Sequence, residues 1–386
     1  MFLVSNQTIH SFAPRTKGCV YPSLKEGFFM KKIRIGSIGI GNISRGVHLP
    51  GIAASEDMEL VAVCDIKPAA LQYAQETYGI DAAHCFEHYE DLIRCPDVDV
   101  VDITLPNHLH FPAAMAAVRA GKPYILEKPV TLNAQEAETL AKATAEAGLT
   151  NMVCFSYRYM PAARYARDLV RQGALGRIFH VDIQYYQAWG LPKFNTPRLW
   201  RFHKAETGSG ALGDLGSHAL DLVRFVTGAE VERVIGHLNT FTTMRPSLET
   251  GEPVPADVDD FSNYMADLSG GIAANFRITR FAYGRGNYQR MEIYGEKGAL
   301  VYTLDENGDG ANTLDVCFDP IGCDTHQFHR VNIPARYQVR QMQCFADLFN
   351  GKGDGLNATI EDGLINMKAV DQIIRSGETG QWLSVK

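Results

Sequence analysis

Between residues 33 and 147 short apolar runs alternate with segments of helical spacing, and that alternation leaves few folds open. The apolar runs are 33–38, 60–64, 98–104 and 124–126; the helical segments are 69–78, 89–94, 113–120 and 134–147. Strands that alternate with helices build βαβ units, so this half predicts a parallel sheet with helices packed on it. Gly121-Lys122-Pro123 ends one helical segment with the glycine and following proline that such a stop requires. Near residue 151 the pattern changes. Stretches 178–186, 261–268, 272–279 and 291–294 alternate with period two, and glycine turns at 269–271 and 295–298 separate them. That is the pattern of an antiparallel sheet with one wet face. Helical segments continue at 161–172, 214–227, 336–349 and 359–376. The expected organisation is an α/β domain over 30–150 and an α+β domain over 151–386. Residues 1–29 read as a loosely ordered extension or an upstream start; the rival reading is an arm that swaps onto a partner subunit.

Composition narrows the function classes. A net charge of −7 over 386 residues argues against a general nucleic-acid surface. No apolar run approaches the roughly 20 residues of a membrane helix. The cysteines, at 19, 64, 85, 95, 154, 317, 323 and 344, are scattered and form no CxxC. Such usage suits a reducing cytoplasm better than a disulfide scaffold.

The chemistry sits in three places. Gly39-Ile40-Gly41-Asn42-Ile43-Ser44 follows the first strand directly and opens a helical segment. Gly39 allows the tight turn, Gly41 lets a pyrophosphate approach the backbone, and Ser44 is small enough for close strand–helix packing. Glycines also serve plain turns, but Asp65 stands at the end of the next strand, where a carboxylate binds ribose hydroxyls and repels a 2′-phosphate. NAD is therefore expected over NADP; Lys67 reads as a solvated charge. Leu105, Asn107 and His110 follow the strand at 98–104, and ligands sit outside the carboxyl ends of such strands. Helix capping is the rival reading for Asn107 and His110.

Glu127-Lys128-Pro129 closes the fourth apolar run, which places a lysine beside the cofactor site. The third place is a glycine-dense stretch, 208–216, that runs into Asp214 and His218. Four residues apart, these two share one helix face. The glycines let a ligand or another part of the chain come close to the backbone.

A Gly39-x-Gly41 turn, then Glu127-Lys128-Pro129, then Asp214-x-x-x-His218 in a glycine-rich helix start resembles the Gfo/Idh/MocA oxidoreductases, over about residues 31–386. The resemblance implies an N-terminal Rossmann domain and a C-terminal domain built on a large, mostly antiparallel open sheet. It also implies a homodimer or homotetramer paired through that sheet. Lys128 then corresponds to the catalytic, cofactor-contacting lysine, His218 to the acid/base histidine and Asp214 to the neighbouring carboxylate. Trp200 and Arg201 correspond to a pair set against the cofactor, and Lys128–Pro129 to a cis bond. Arg158 lies in the segment that enters the second domain, where relatives reach substrate.

The expected activity is an NAD-dependent dehydrogenase that oxidises a secondary hydroxyl of a sugar, anhydrosugar or cyclitol. His218 takes the proton, and Lys128 stabilises the charge on the reacting oxygen or shares the base role. Trp189 and Arg198 are expected at the substrate end, since aromatic faces suit sugar C–H faces and Arg suits a hydroxyl-rich group; the rival reading of this stretch is core plus loop. The rivals are a glycoside-cleaving enzyme that uses transient oxidation, and a non-catalytic NAD(P) sensor. Two decoys are set aside. The run 305–310 begins like a calcium loop, but position twelve is Val316. Cys317, Cys323, His326 and His329 match no standard zinc spacing.

Overall fold

The computed structural model describes residues 31–306, 312–318 and 326–385. The extension at 1–29, most of the calcium-like run and Cys323 lie outside those residues. Six strands, β1 (Ile33–Ile38), β2 (Met58–Cys64), β3 (Cys85–Phe86), β4 (Val100–Ile103), β5 (Tyr124–Leu126) and β6 (Asn151–Val153), form a sheet ordered β3-β2-β1-β4-β5-β6. Every pairing is parallel. Residues of β4 and β5 are buried throughout, which is why the apolar runs are unbroken. The strand order reverses between β1 and β4, and ligands bind outside the carboxyl ends at such a point. The sheet runs on to Val153, past residue 150 where the sequence pattern changes.

The second sheet follows. Its strands are β7 (Ile178–Tyr186) and β8 (Val231–Asn239), then, after a small ribbon of β9 (Met244–Pro246) and β10 (Pro253–Pro255), β11 (Phe261–Leu268), β12 (Ile272–Thr279), β13 (Tyr288–Gly295), β14 (Gly298–Asp305), β15 (Asn312–Phe318), β16 (His329–Arg330) and β17 (Leu383–Ser384). The order is β16-β15-β14-β13-β7-β12-β11-β8-β17, antiparallel except between β7 and β12. β14 and β15, on either side of the calcium-like run, pair antiparallel. One face of the sheet buries Val181, Ile183, Phe276 and Ile278 against helices Pro161–Arg171, Ser217–Thr227 and Ile360–Thr379. The other face leaves Phe179 and Met265 exposed.

Two helices begin with a π-helical turn, Ser44–His48 before Leu49–Ala53 and Leu212–Gly216 before Ser217–Thr227. Such turns recur at functional sites. Here one follows the glycine turn and the other carries Asp214.

Candidate active site

A cleft of about 1230 Å³ opens at the carboxyl ends of β1, β2, β4 and β5 and reaches the inner face of the second sheet. That volume exceeds the roughly 300–1,000 Å³ of a drug-sized site and suits a dinucleotide with a small substrate. Gly39 adopts φ +88, and a Cβ there would lie 2.8 Å from the Thr104 carbonyl oxygen. Gly41 is different: a Cβ there meets nothing within 4 Å, so its backbone faces open cleft. Asp65 accepts from Ile40 N and Lys67 N, each at 2.8 Å, which braces the glycine turn from the end of β2. Its carboxylate therefore binds its own chain as well as lining the cleft. The residues present fit a dinucleotide: a glycine cradle open to the ligand, with a carboxylate at the end of the second strand.

Asn42, Ile43, Leu105, Asn107, His110, Glu127, Trp200 and Arg201 line the same cleft. Several also hold it together. Asn107 donates to the Thr207 carbonyl at 3.0 Å and so joins the first half to the second. Both ring nitrogens of His110 lie 2.7 Å from backbone carbonyls, those of Pro129 and Leu105. His110 thus ties the loops after β4 and β5, a positioning part beyond its place in the cleft wall. The Arg201 guanidinium stacks over Trp200, 4.3 Å from the ring centre.

Lys128 and Asp214 meet across the cleft. Lys128 Nζ donates to Asp214 Oδ1 and to the Asp214 carbonyl, both at 2.9 Å. Burial disfavours the Asp214 charge, but Lys128, Arg280 and Arg201 overcome it and hold the carboxyl far below its usual range. His218 stands on the same helix, its ring edge-on to Tyr157 at 4.7 Å. Its Nδ1 is buried without a hydrogen-bond partner among the described residues. Burial and the Lys128 charge push its pKa well below the usual imidazole value, partly offset by Asp214, so the ring is neutral. Tyr157 and Tyr185 share a hydrogen bond, and burial pushes the Tyr157 phenol up to about 12. Both phenols therefore remain protonated.

Asp259 explains the glycines before Asp214. Its carboxylate accepts from Gly210 N at 2.6 Å and Leu212 N at 2.8 Å, and its carbonyl accepts from Ala211 N at 2.8 Å. A Cβ at Gly210 would lie 1.9 Å from that carbonyl oxygen. The close approach expected at this stretch is therefore made by the chain itself.

The substrate-end expectations divide. Trp189 lines the cleft, its indole N–H donating to Gln187 at 2.6 Å. Arg158 does not line it: the guanidinium is buried against Asp221 at 2.6 Å and Asp362 at 2.9 Å, a structural ion pair. Arg198 is also outside the lining; its backbone N–H bonds to the Pro246 carbonyl at 2.8 Å.

Sequence reasoning missed two groups. Arg280 pairs with Asp214 Oδ2 at 3.0 Å and is fully buried. The signal was present, since 280 continues the inward positions 272, 274, 276 and 278. The other is a buried array from four elements. Ser37 donates to Asp102 at 2.8 Å, His48 bonds Asp102 at 2.7 Å and Glu127 at 3.0 Å, and Glu127 accepts from Lys128 N at 3.1 Å. Burial opposes charge on His48, but Asp102 raises its pKa well above the usual value. The imidazolium in turn overcomes burial to keep Glu127 below its usual range. No sequence spacing links residues 37, 48, 102 and 127.

Residues 33–155 match the model of the oxidoreductase family NAD-binding Rossmann fold, and residues 163–301 match that of the GFO/IDH/MocA C-terminal domain. Levoglucosan dehydrogenase of Pseudarthrobacter phenanthrenivorans is 33% identical over 281 residues, 70% of each chain. D-glucoside 3-dehydrogenase of Escherichia coli K12 is 26% identical over 92% of this chain and 99% of that one. A solved levoglucosan dehydrogenase in complex with NADH and levoglucosan superposes with a TM-score of 0.82 at 29% identity, covering 92% of this chain and 100% of that one. The Rossmann sheet and these matches define an NAD-dependent oxidoreductase that acts on CH–OH groups. The chain belongs to the Gfo/Idh/MocA oxidoreductase family.

Proposed function

We propose that this enzyme oxidises a secondary hydroxyl of a sugar, anhydrosugar or cyclitol to a ketone, reversibly. The observation that carries the reading is the meeting of Lys128, Asp214 and His218 at the inner end of a cleft whose outer end is a dinucleotide cradle. Gly39, Gly41, Asn42, Ile43 and Asp65 hold the dinucleotide, and Glu127, Trp200 and Arg201 line its path. Bound NAD supplies the hydride acceptor.

The chain's own residues handle the proton and the charge. The Lys128 ammonium, fixed on Asp214, faces the reacting oxygen and stabilises negative charge as it develops. Neutral His218 accepts the hydroxyl proton, and its low basicity returns that proton readily in the reverse direction. Tyr157, Tyr185 and Trp189 give the sugar an aromatic, partly apolar wall. Residues 30–150 serve as the NAD domain and 151–386 as the substrate domain. Subunits pair through the open face of the second sheet, where Phe179 and Met265 are exposed.

The reading is tested with an absorbance screen for NADH over sugars, inositols and anhydrosugars, followed by Lys128→Ala and His218→Ala. Both variants bind NADH and lose turnover. Wild-type turnover in either variant defeats the assignment.

A further inference from the structure

Arg280 follows β12 and lies in the cleft wall with no solvent exposure. Its guanidinium packs 4.7 Å from the centre of the Trp189 ring and 5.8 Å from that of Phe202. Nη2 donates to the Gly210 carbonyl and to Asp214 Oδ2, each at 3.0 Å. Asp214 Oδ1 is taken by Lys128 at 2.9 Å, so the two oxygens are divided between two cations. His218, four residues further on, has Phe155, Tyr157 and Tyr185 around its ring and, among the described residues, no partner for Nδ1. A carboxylate that reached that nitrogen would orient the ring and make it more basic. Here the carboxylate is held elsewhere.

We propose that Arg280 is a positioning residue that fixes the Asp214 carboxylate on Lys128 and keeps it from His218. This rests on the reading that Lys128 and His218 meet the substrate hydroxyl. It assigns the division of labour at the site: Asp214 serves the lysine, and His218 works as an unassisted imidazole. A lysine at 280 does not reproduce the arrangement, because one flat guanidinium spans Gly210, Asp214 and the Trp189 face together.

Two measurements on the full chain test it. In the first, Arg280→Ala and Arg280→Lys are assayed for turnover, with NADH titration as the check on folding. The expected result is a fall in kcat of about 100-fold, the scale of a ~1 Å misplacement, with NADH affinity held. Guanidinium at sub-denaturing concentration restores turnover to Arg280→Ala where equal sodium chloride does not. Unchanged kcat, or equal restoration by sodium chloride, overturns the proposal. The second needs no substrate. With the twelve histidines isotopically labelled and the His218 signal assigned through His218→Gln, NMR follows its titration. Release of Asp214 in Arg280→Ala raises the His218 pKa, since a less compensated carboxylate then faces the ring. An unmoved His218 titration overturns the proposal even where no substrate is known. A wild-type enzyme that reduces NAD with no polyol instead overturns the proposed function and leaves the NMR result to decide this one.

Discussion

Gly210→Ala should damage the enzyme from outside the cofactor cradle, and Gly41→Ala should do the reverse. At Gly210 the new methyl would lie 1.9 Å from the Asp259 carbonyl oxygen, whereas ordinary contact begins at 3.4 Å. The two backbones must therefore part by about 1.5 Å. Separation breaks one or both of the bonds from Gly210 N and Leu212 N to the Asp259 carboxylate. Hydrogen bonds to a charged group contribute about 1.5–3 kcal/mol each, so the expected loss of stability is roughly 3 kcal/mol. The same shift carries Asp214 and His218 with it, and a displacement of ~1 Å costs about 100-fold in rate. At Gly41 the methyl enters open cleft, so folding stability is unchanged. The methyl stands where the pyrophosphate must approach, and NADH affinity falls about tenfold or more, the equivalent of ~1.4 kcal/mol. Urea unfolding followed by fluorescence of Trp189, Trp200 and Trp382 gives the stabilities, and NADH titration gives the affinities. A Gly210→Ala variant as stable as wild type would falsify the account of the Asp259 contact. A Gly41→Ala variant that binds NADH normally would remove the cradle.

Arg158→Met leaves Asp221 buried without its cation, so stability falls by about 3–5 kcal/mol. KM for the substrate stays the same in whatever fraction folds; a raised KM with unchanged stability would return Arg158 to the substrate site. Asp65→Ser removes the charge that repels a 2′-phosphate, so kcat/KM for NADP relative to NAD rises about tenfold, and an unchanged ratio would refute that role. The buried array predicts loss of stability in both directions of pH. Glu127, held low, contributes stability that is present above its unfolded pKa and is lost as pH falls through its folded value. His48, held high, contributes stability that is present below about 6.5 and is lost as pH rises through its folded value. His48→Gln should abolish the alkaline loss, and urea midpoints across pH check it.

Much of the fold was legible because its signals are local. Runs such as Ile33–Ile38 and Tyr124–Leu126 are buried on both faces, and β11 and most of β12 alternate, as does β7 beyond a bulge at Phe179. β14 escaped notice because Leu300, Val301 and Tyr302 are all buried, which erases period two. Among the candidate site residues, Lys128, Asp214 and His218 could be singled out because each belongs to a short motif. Arg158 misled because Tyr157 beside it reaches the cleft while its own partners, Asp221 and Asp362, come from helices distant in sequence. His48 was illegible for the same reason, whereas Arg280 continues the inward positions of β12 and only its partner Asp214 was hidden. Their meaning lies in partners that only the fold brings near.

Hydride transfer from a sugar carbon is the central claim, and isotopic labelling measures it directly. The first polyol that reduces NAD is prepared with deuterium on the carbon that becomes the ketone, and the reduced cofactor is analysed by mass spectrometry. The account predicts that the cofactor gains one deuterium, and that Lys128→Ala forms almost none of it. Reduced cofactor without the label, or substrate consumed with no reduced cofactor released, would contradict it.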